Sequence, residues 1–149
     1  MSSRRSTFAR QGAAILCAVT LGTLLFSARV APMLFDALPE DRTLAGRIAG
    51  RAFESAYWIA FGVALVALAV ACFARSTRAR IEIVLSVLML FTAALQLFWI
   101  APAIARHGAG WPWSFASLHG AGGAMHLMLA VAALVLSWLL LASAPRYRS

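Results

Sequence analysis

Apolar residues run along this chain in long unbroken blocks, not in alternation with polar ones. Gly12–Ala28, Ser55–Ala74 and Ile83–Ala105 hold 17, 20 and 23 residues without a charge. A further stretch, Gly108 to Pro145, is uncharged apart from its histidines. Crossing the hydrocarbon of a bilayer as a helix takes roughly 17–25 such residues. Backbone groups must pair internally there, which makes the helix the economical form for each block. A soluble bundle would place a charged face on every helix, and these blocks have none. The pattern predicts an all-α integral membrane four-helix bundle, one membrane domain over residues 1–149, with spans at about 12–31, 54–74, 82–102 and 117–142.

The connection after the first block reads RVAPMLFDALPEDRTLAGRIAGRAFE. Pro32 and Pro39 are expected to break helices there. From Thr43 a helical period resumes, with Leu44, Ile48 and Ala52 on one face and Arg47, Arg51 and Glu54 on another. The expectation is an interfacial segment at about 32–53, ending in an amphipathic helix that leads into the second span. Gly46 and Gly50 have the spacing that permits close helix contact.

Composition agrees with a lipid solvent: 62% of the chain is apolar and 12% charged, against about 45–50% and about 25% in soluble domains. All 13 basic residues are Arg, and the net charge is +8. Such a charge suits nucleic acid when it lines one face. Here the arginines flank apolar blocks, so no nucleic-acid partner is expected. Eight lie in the N-terminal segment, in RSTRAR (75–80) and in the tail; five, Arg29, Arg42, Arg47, Arg51 and Arg106, lie on the other side. The positive-inside rule then predicts a bacterial inner (cytoplasmic) membrane protein with both termini cytoplasmic. The first block follows Arg4, Arg5 and Arg10 as a signal peptide would, but its exit, SARVAP, puts Arg29 where cleavage needs a small residue, so an uncleaved helix is expected. Trp58, Trp99, Trp111 and Trp113 suit an outer aromatic belt, and Trp138 and Tyr147 an inner one. Cys17 and Cys72 read as small buried hydrophobes, not as a disulfide.

Positions three, four and seven apart share a helix face. On the last span His119, Gly123, His126, Ala130, Ala133 and Ser137 form one small or polar stripe, expected to face the bundle, with Met128, Val135 and Leu139 toward lipid. Thr20, Thr23 and Ser27 make a similar stripe on the first span, Thr92 and Gln96 on the third, and Glu54, Phe61 and Cys72 share a face of the second. By depth, Arg29, Glu54, Gln96, His119 and His126 are expected to form a polar pocket in the outer half. Only Cys17, Ser86, Cys72 and Ser137 are expected inside the inner half.

Ionisable residues within a membrane point to function by default, giving a protein that handles a small solute or stabilises a partner through that pocket. The plainer reading makes His126 an interhelical tie to Gln96, Thr23 or a backbone carbonyl. The alternative is a metal- or haem-binding redox protein using His119 and His126. Seven residues apart, their Cα atoms lie about 10.5 Å apart on a straight helix, too far to share one metal at about 2.0–2.1 Å, and the remaining histidine is His107. No nucleophile stands beside a base, no carboxylate pair lies in the bundle, and HGAGG sits inside a helix, not in a phosphate-binding loop. Enzyme activity and a cofactor are therefore not expected. The expected partners are the lipid bilayer and a second copy or another membrane protein.

APMLFDALP (31–39), AGRIAGRAFESAYW (45–58) and FASLHG (115–120) together give the chain its resemblance to the domain of unknown function 4149 family, which is similar to the eukaryotic transmembrane protein 205. The resemblance covers most of the chain except the arginine-rich N-terminus and the tail. Its pattern falls on Pro32, Leu34, Phe35, Leu38, Pro39, Ala45, Gly46, Gly50, Phe53, Tyr57, Leu118, His119 and Gly120. It implies a four-helix membrane protein of unsettled biochemical role. It also implies that the position of His126 is often an amide, which would make His126 a local variation.

Overall fold

A computed structural model describes residues 3–73, 76–106 and 113–142, with side chains from Arg5 onward. Four long helices account for nearly all of them: α1 (Ser3–Ala37), α2 (Arg42–Phe73), α3 (Ala79–Ala105) and α4 (Phe115–Ala142). All four are long and apolar enough to cross a membrane. At about 1.5 Å per residue they measure about 52, 48, 40 and 42 Å, against about 30 Å of hydrocarbon.

Local chemistry sets the ends. Pro39 disfavours helical backbone at Leu38, and α1 stops at Ala37. Asp41 then caps α2, its Oδ1 accepting the Leu44 N–H at 2.9 Å. Ser114 does the same for α4, accepting the Ser117 N–H at 3.1 Å. Pro32 does not break the chain as its type suggested. It lies inside α1, as prolines do in membrane helices where local adjustment re-satisfies the freed carbonyl. The helix expected from Thr43 runs without a break into the second span: residues 42–54 are the first turns of one continuous α2. The face of that stretch turned inward is Ala45 and Ala49, both buried, while Ile48 is exposed and Leu44 half-buried.

α1 packs on α2 and α4, and α3 packs on α2 and α4, so α1 faces α3, and α2 faces α4, across the middle of the bundle. The interior is built of small residues. Ala56, Ala60, Ala64, Ala67 and Ala71 of α2, Ala13 and Ala14 of α1, and Ala132 and Ala133 of α4 are buried, with Leu24, Met89, Leu129, Leu136 and Leu140 filling between them. Small interior residues bring membrane helices close. Many other large apolar residues point the other way: Phe26, Leu127 and Trp138 are 67%, 66% and 69% exposed. In water that surface would drive aggregation; in lipid it is the solvated face. The chain is a multi-pass membrane protein with a helical-bundle fold.

Candidate functional site

Pro102 shapes the C-terminal end of α3. It has no N–H, and its ring crowds the carbonyl four residues back. The preceding turn, Gln96–Ile100, widens into a π turn in which the Ala101 N–H reaches the Gln96 carbonyl. Such turns re-aim side chains and recur at functional sites. Here the turn places Gln96, 2% exposed, against α4, where its Nε2 donates to the Gly122 carbonyl at 2.6 Å.

One turn further along α4, His126 lies half-buried in the half of the bundle that holds the α1–α2 turn. Its Nε2 lies 3.1 Å from the Leu24 carbonyl of α1, and its Nδ1 lies 3.1 Å from the Tyr57 hydroxyl of α2. A carbonyl only accepts, so Nε2 carries the proton; in the neutral ring Nδ1 then accepts from Tyr57. Phe53 meets the imidazole edge-on, with ring centroids 5.3 Å apart. The Leu24 carbonyl also accepts from Ser27 Oγ at 2.9 Å. His126 thus joins three helices, and the Tyr57–His126 bond crosses the bundle from α2 to α4.

Of the five residues expected in an outer pocket, only Gln96 and His126 lie inside the bundle, and each bonds a different carbonyl. His119 is exposed and stacks on Phe115. Arg29 is exposed. Glu54 pairs with Arg51 at 3.5 Å on the surface of α2, not with Arg29. The small-residue stripe needs a matching correction. His126, Ala130, Ala133 and Ser137 face inward, but Gly123 is exposed and a Cβ there would meet nothing within 4 Å. The tight approach is at Gly122, where a Cβ would lie 3.3 Å from Ile100 Cγ2 and 3.7 Å from Gln96 Oε1. The buried face of α4 runs through Leu118, Gly122, Leu129 and Leu136, which turns it away from His119 and Gly123. Of the motif residues, Tyr57 is buried and Phe53 half-buried beside His126, while Pro32, Phe35, Pro39, Gly46, Gly50 and Gly120 are exposed.

The inner half also departs from expectation. Arg10 of α1 and Glu82 of α3 form a bidentate ion pair across the bundle, with Nη1 donating to Oε2 at 3.0 Å and Nη2 to Oε1. Their side chains are 5% and 0% exposed. Ser76 Oγ adds a bond to Glu82 Oε1 at 3.3 Å. Nearby, Ser86 Oγ donates to the Glu82 carbonyl at 2.7 Å, and Ser137 Oγ to the Ala14 carbonyl at 3.0 Å. Cys17 is buried as expected, but Cys72 is exposed. Arg10 read as one more flanking arginine. The signal that separates it is Glu82, the sole acidic residue between Glu54 and the C-terminus.

A shared His119–His126 metal does not fit, because one ring is exposed and the other spends both nitrogens on protein partners. Among the described residues no three His, Cys, Asp or Glu side chains come together. His107, Trp111, Tyr147 and the tail arginines lie outside the described residues. No curated protein and no solved structure matches the chain. A family model, Domain of unknown function (DUF4149), matches residues 15–110 and so takes in Leu24, Tyr57, Glu82 and Gln96, while Arg10 and all of α4 lie beyond it. That match spans well over half of the chain, which therefore belongs to the DUF4149 family.

Proposed function

We propose that this membrane protein is a structural subunit of the bacterial inner membrane, both termini cytoplasmic, that stabilises a partner through its lipid-facing surface. The observation that carries this reading is how the polar groups of the outer half are spent. Gln96 and both nitrogens of His126 are committed to ties between helices, which favours a braced module over an open solute path. A surface with shape also supports it. Trp58, Phe61 and Phe98 form a mutually edge-on aromatic trio on the outside of α2 and α3, with centroids 5.8–6.4 Å apart. Aromatic residues ordered this way present large apolar area at low entropic cost.

A photo-crosslinking residue at Phe98, with one at Leu127 on α4 as the comparison, tests this in cells. The reading expects one discrete protein adduct from Phe98 and lipid adducts alone from Leu127. Lipid adducts alone from both positions would overturn it.

A second reading, small-solute handling, has one observation in its favour. The Thr92 hydroxyl, 0% exposed and one turn inward of Gln96, has no hydrogen-bond partner among the described residues. A polar solute or water there would supply one. Thermal stabilisation of the purified protein by small polar solutes, lost in Thr92→Val, is the outcome that would favour it.

A further inference from the structure

Charge is divided unequally between the two ends of the bundle. Four of the five acidic residues, Asp36, Glu40, Asp41 and Glu54, lie at the end holding the α1–α2 turn, with five arginines. Among the described side chains the opposite end has Arg5, Arg10, Arg78 and Arg80 and one acid, Glu82. That acid is fully buried and bound in bidentate fashion by Arg10. Arg78 and Arg80 are exposed, and neither forms an ion pair among the described residues.

Residues 76–81, leading into α3, border an open recess of about 520 Å³, lined by Ser76, Thr77, Arg78, Ala79, Arg80 and Ile81. Two guanidiniums and two hydroxyl side chains border it, and no acid does. Directly along α3 from the recess, Ile81 and Val84 are 54% and 64% exposed, and Phe73 at the end of α2 is 79% exposed. An open recess edged by two guanidinium groups, its walls otherwise largely apolar, thus lies at the end of a strip of bare apolar side chains. Guanidinium groups are suited to the oxygens of a phosphate. A ligand that satisfies both parts has an anionic phosphate head and a hydrocarbon tail.

We propose that the recess at residues 76–81 is a binding site for the phosphodiester headgroup of an anionic phospholipid, whose acyl chains lie along Ile81 and Val84. Arg78 and Arg80 hold the phosphate, and the Arg10–Glu82 pair keeps the one nearby carboxylate from opposing it. The site depends on an anionic leaflet at this end of the bundle and not on which compartment that leaflet faces. It is independent of any partner at the α2–α3 surface.

Native mass spectrometry of the full-length protein in detergent, with phosphatidylglycerol or phosphatidylcholine added at equal concentration, tests it. A juxtamembrane guanidinium contributes about fivefold to attraction for anionic lipid. Retention of phosphatidylglycerol should therefore exceed that of phosphatidylcholine and fall by about 25-fold in Arg78→Gln/Arg80→Gln. The same excess should persist in Arg47→Gln/Arg51→Gln, where the exchanged arginines lie at the other end. Millimolar inorganic phosphate should leave the lipid adducts in place. Equal retention of the two lipids, or an excess unchanged in the Arg78/Arg80 variant, would overturn the site. Displacement of the lipid by inorganic phosphate would overturn the lipid assignment and leave a site for free phosphate. Helicity and the unfolding midpoint of the double variant are measured alongside, and both should match the parent because the two side chains are exposed.

Discussion

Exchange of Glu82 for Gln keeps the shape of the inner cross-tie and removes its charge. Arg10, with its side chain 5% exposed, is then buried without a counter-ion. Removing one partner of a buried pair costs about 3–5 kcal/mol, because the remaining charge has lost its compensation. Arg10→Leu takes the bidentate guanidinium from the fully buried Glu82 carboxylate, which keeps its bond from Ser76 Oγ. The double exchange Arg10→Leu/Glu82→Leu leaves no charge to strand, and apolar replacement of a whole buried pair ranges from neutral to about 1–4 kcal/mol stabilising. Ser76 loses its bond to Glu82, a cost of about 1 kcal/mol. Two single exchanges at about 3 kcal/mol each would sum to about 6, while the double stays near zero, so a coupling of about 5 kcal/mol or more is expected. Reversible unfolding of the purified full chain in mixed micelles, followed by helicity, reads each variant. Additive singles within about 0.5 kcal/mol, or singles below about 1 kcal/mol as exposed pairs show, would refute the reasoning.

Three further expectations use the same assay or simple chemistry. Gly122→Leu should destabilise by about 1–3 kcal/mol through overpacking against Ile100, whereas Gly123→Leu should stay within about 0.5 kcal/mol; the reverse order would place the wrong face of α4 inward. Tyr57→Phe should cost about 0.6 kcal/mol and no more than about 1.7, the range for single hydrogen bonds between membrane helices. His126→Leu should cost more than that, since two bonds go, and His126→Asn less than His126→Leu; a neutral His126→Leu would remove the tie from the account of stability. In a Cys72→Ser background, Thr43→Cys should react with an impermeant thiol reagent outside intact cells while Thr77→Cys is protected, and the opposite pattern would invert the proposed topology.

The four spans were legible because hydrocarbon imposes length and charge limits that a sequence displays directly. The packing faces were less so. On α4 the polar and small residues suggested a face containing His119 and Gly123, but burial follows large residues as well, and Leu118, Leu129 and Leu136 share the inward arc with Gly122. Gln96 and His126 were visible as polar groups at depth. A backbone carbonyl was among the partners offered for His126, but which carbonyl each would meet was not legible, because every residue carries one: Gly122 for Gln96, Leu24 for His126. Arg10 was hidden among arginines that serve orientation, and the lone acid Glu82 was the mark that one of them had another task. Pro102 read as the end of a span and is the cause of the π turn that aims Gln96.

A ring of four rods tied only to their neighbours can shear into a flattened rhombus while every side keeps its length. One diagonal strut removes that freedom. Two are present among the described residues, set at different heights and along different diagonals: Tyr57 to His126 joins α2 to α4 in the half that holds the α1–α2 turn, and Arg10 to Glu82 joins α1 to α3 at the opposite end. Lateral pressure from the bilayer, which would collapse an unbraced bundle along its softer diagonal, meets a strut at each level. Cutting one strut should let that end alone go slack, so the two ends of the molecule can be loosened separately.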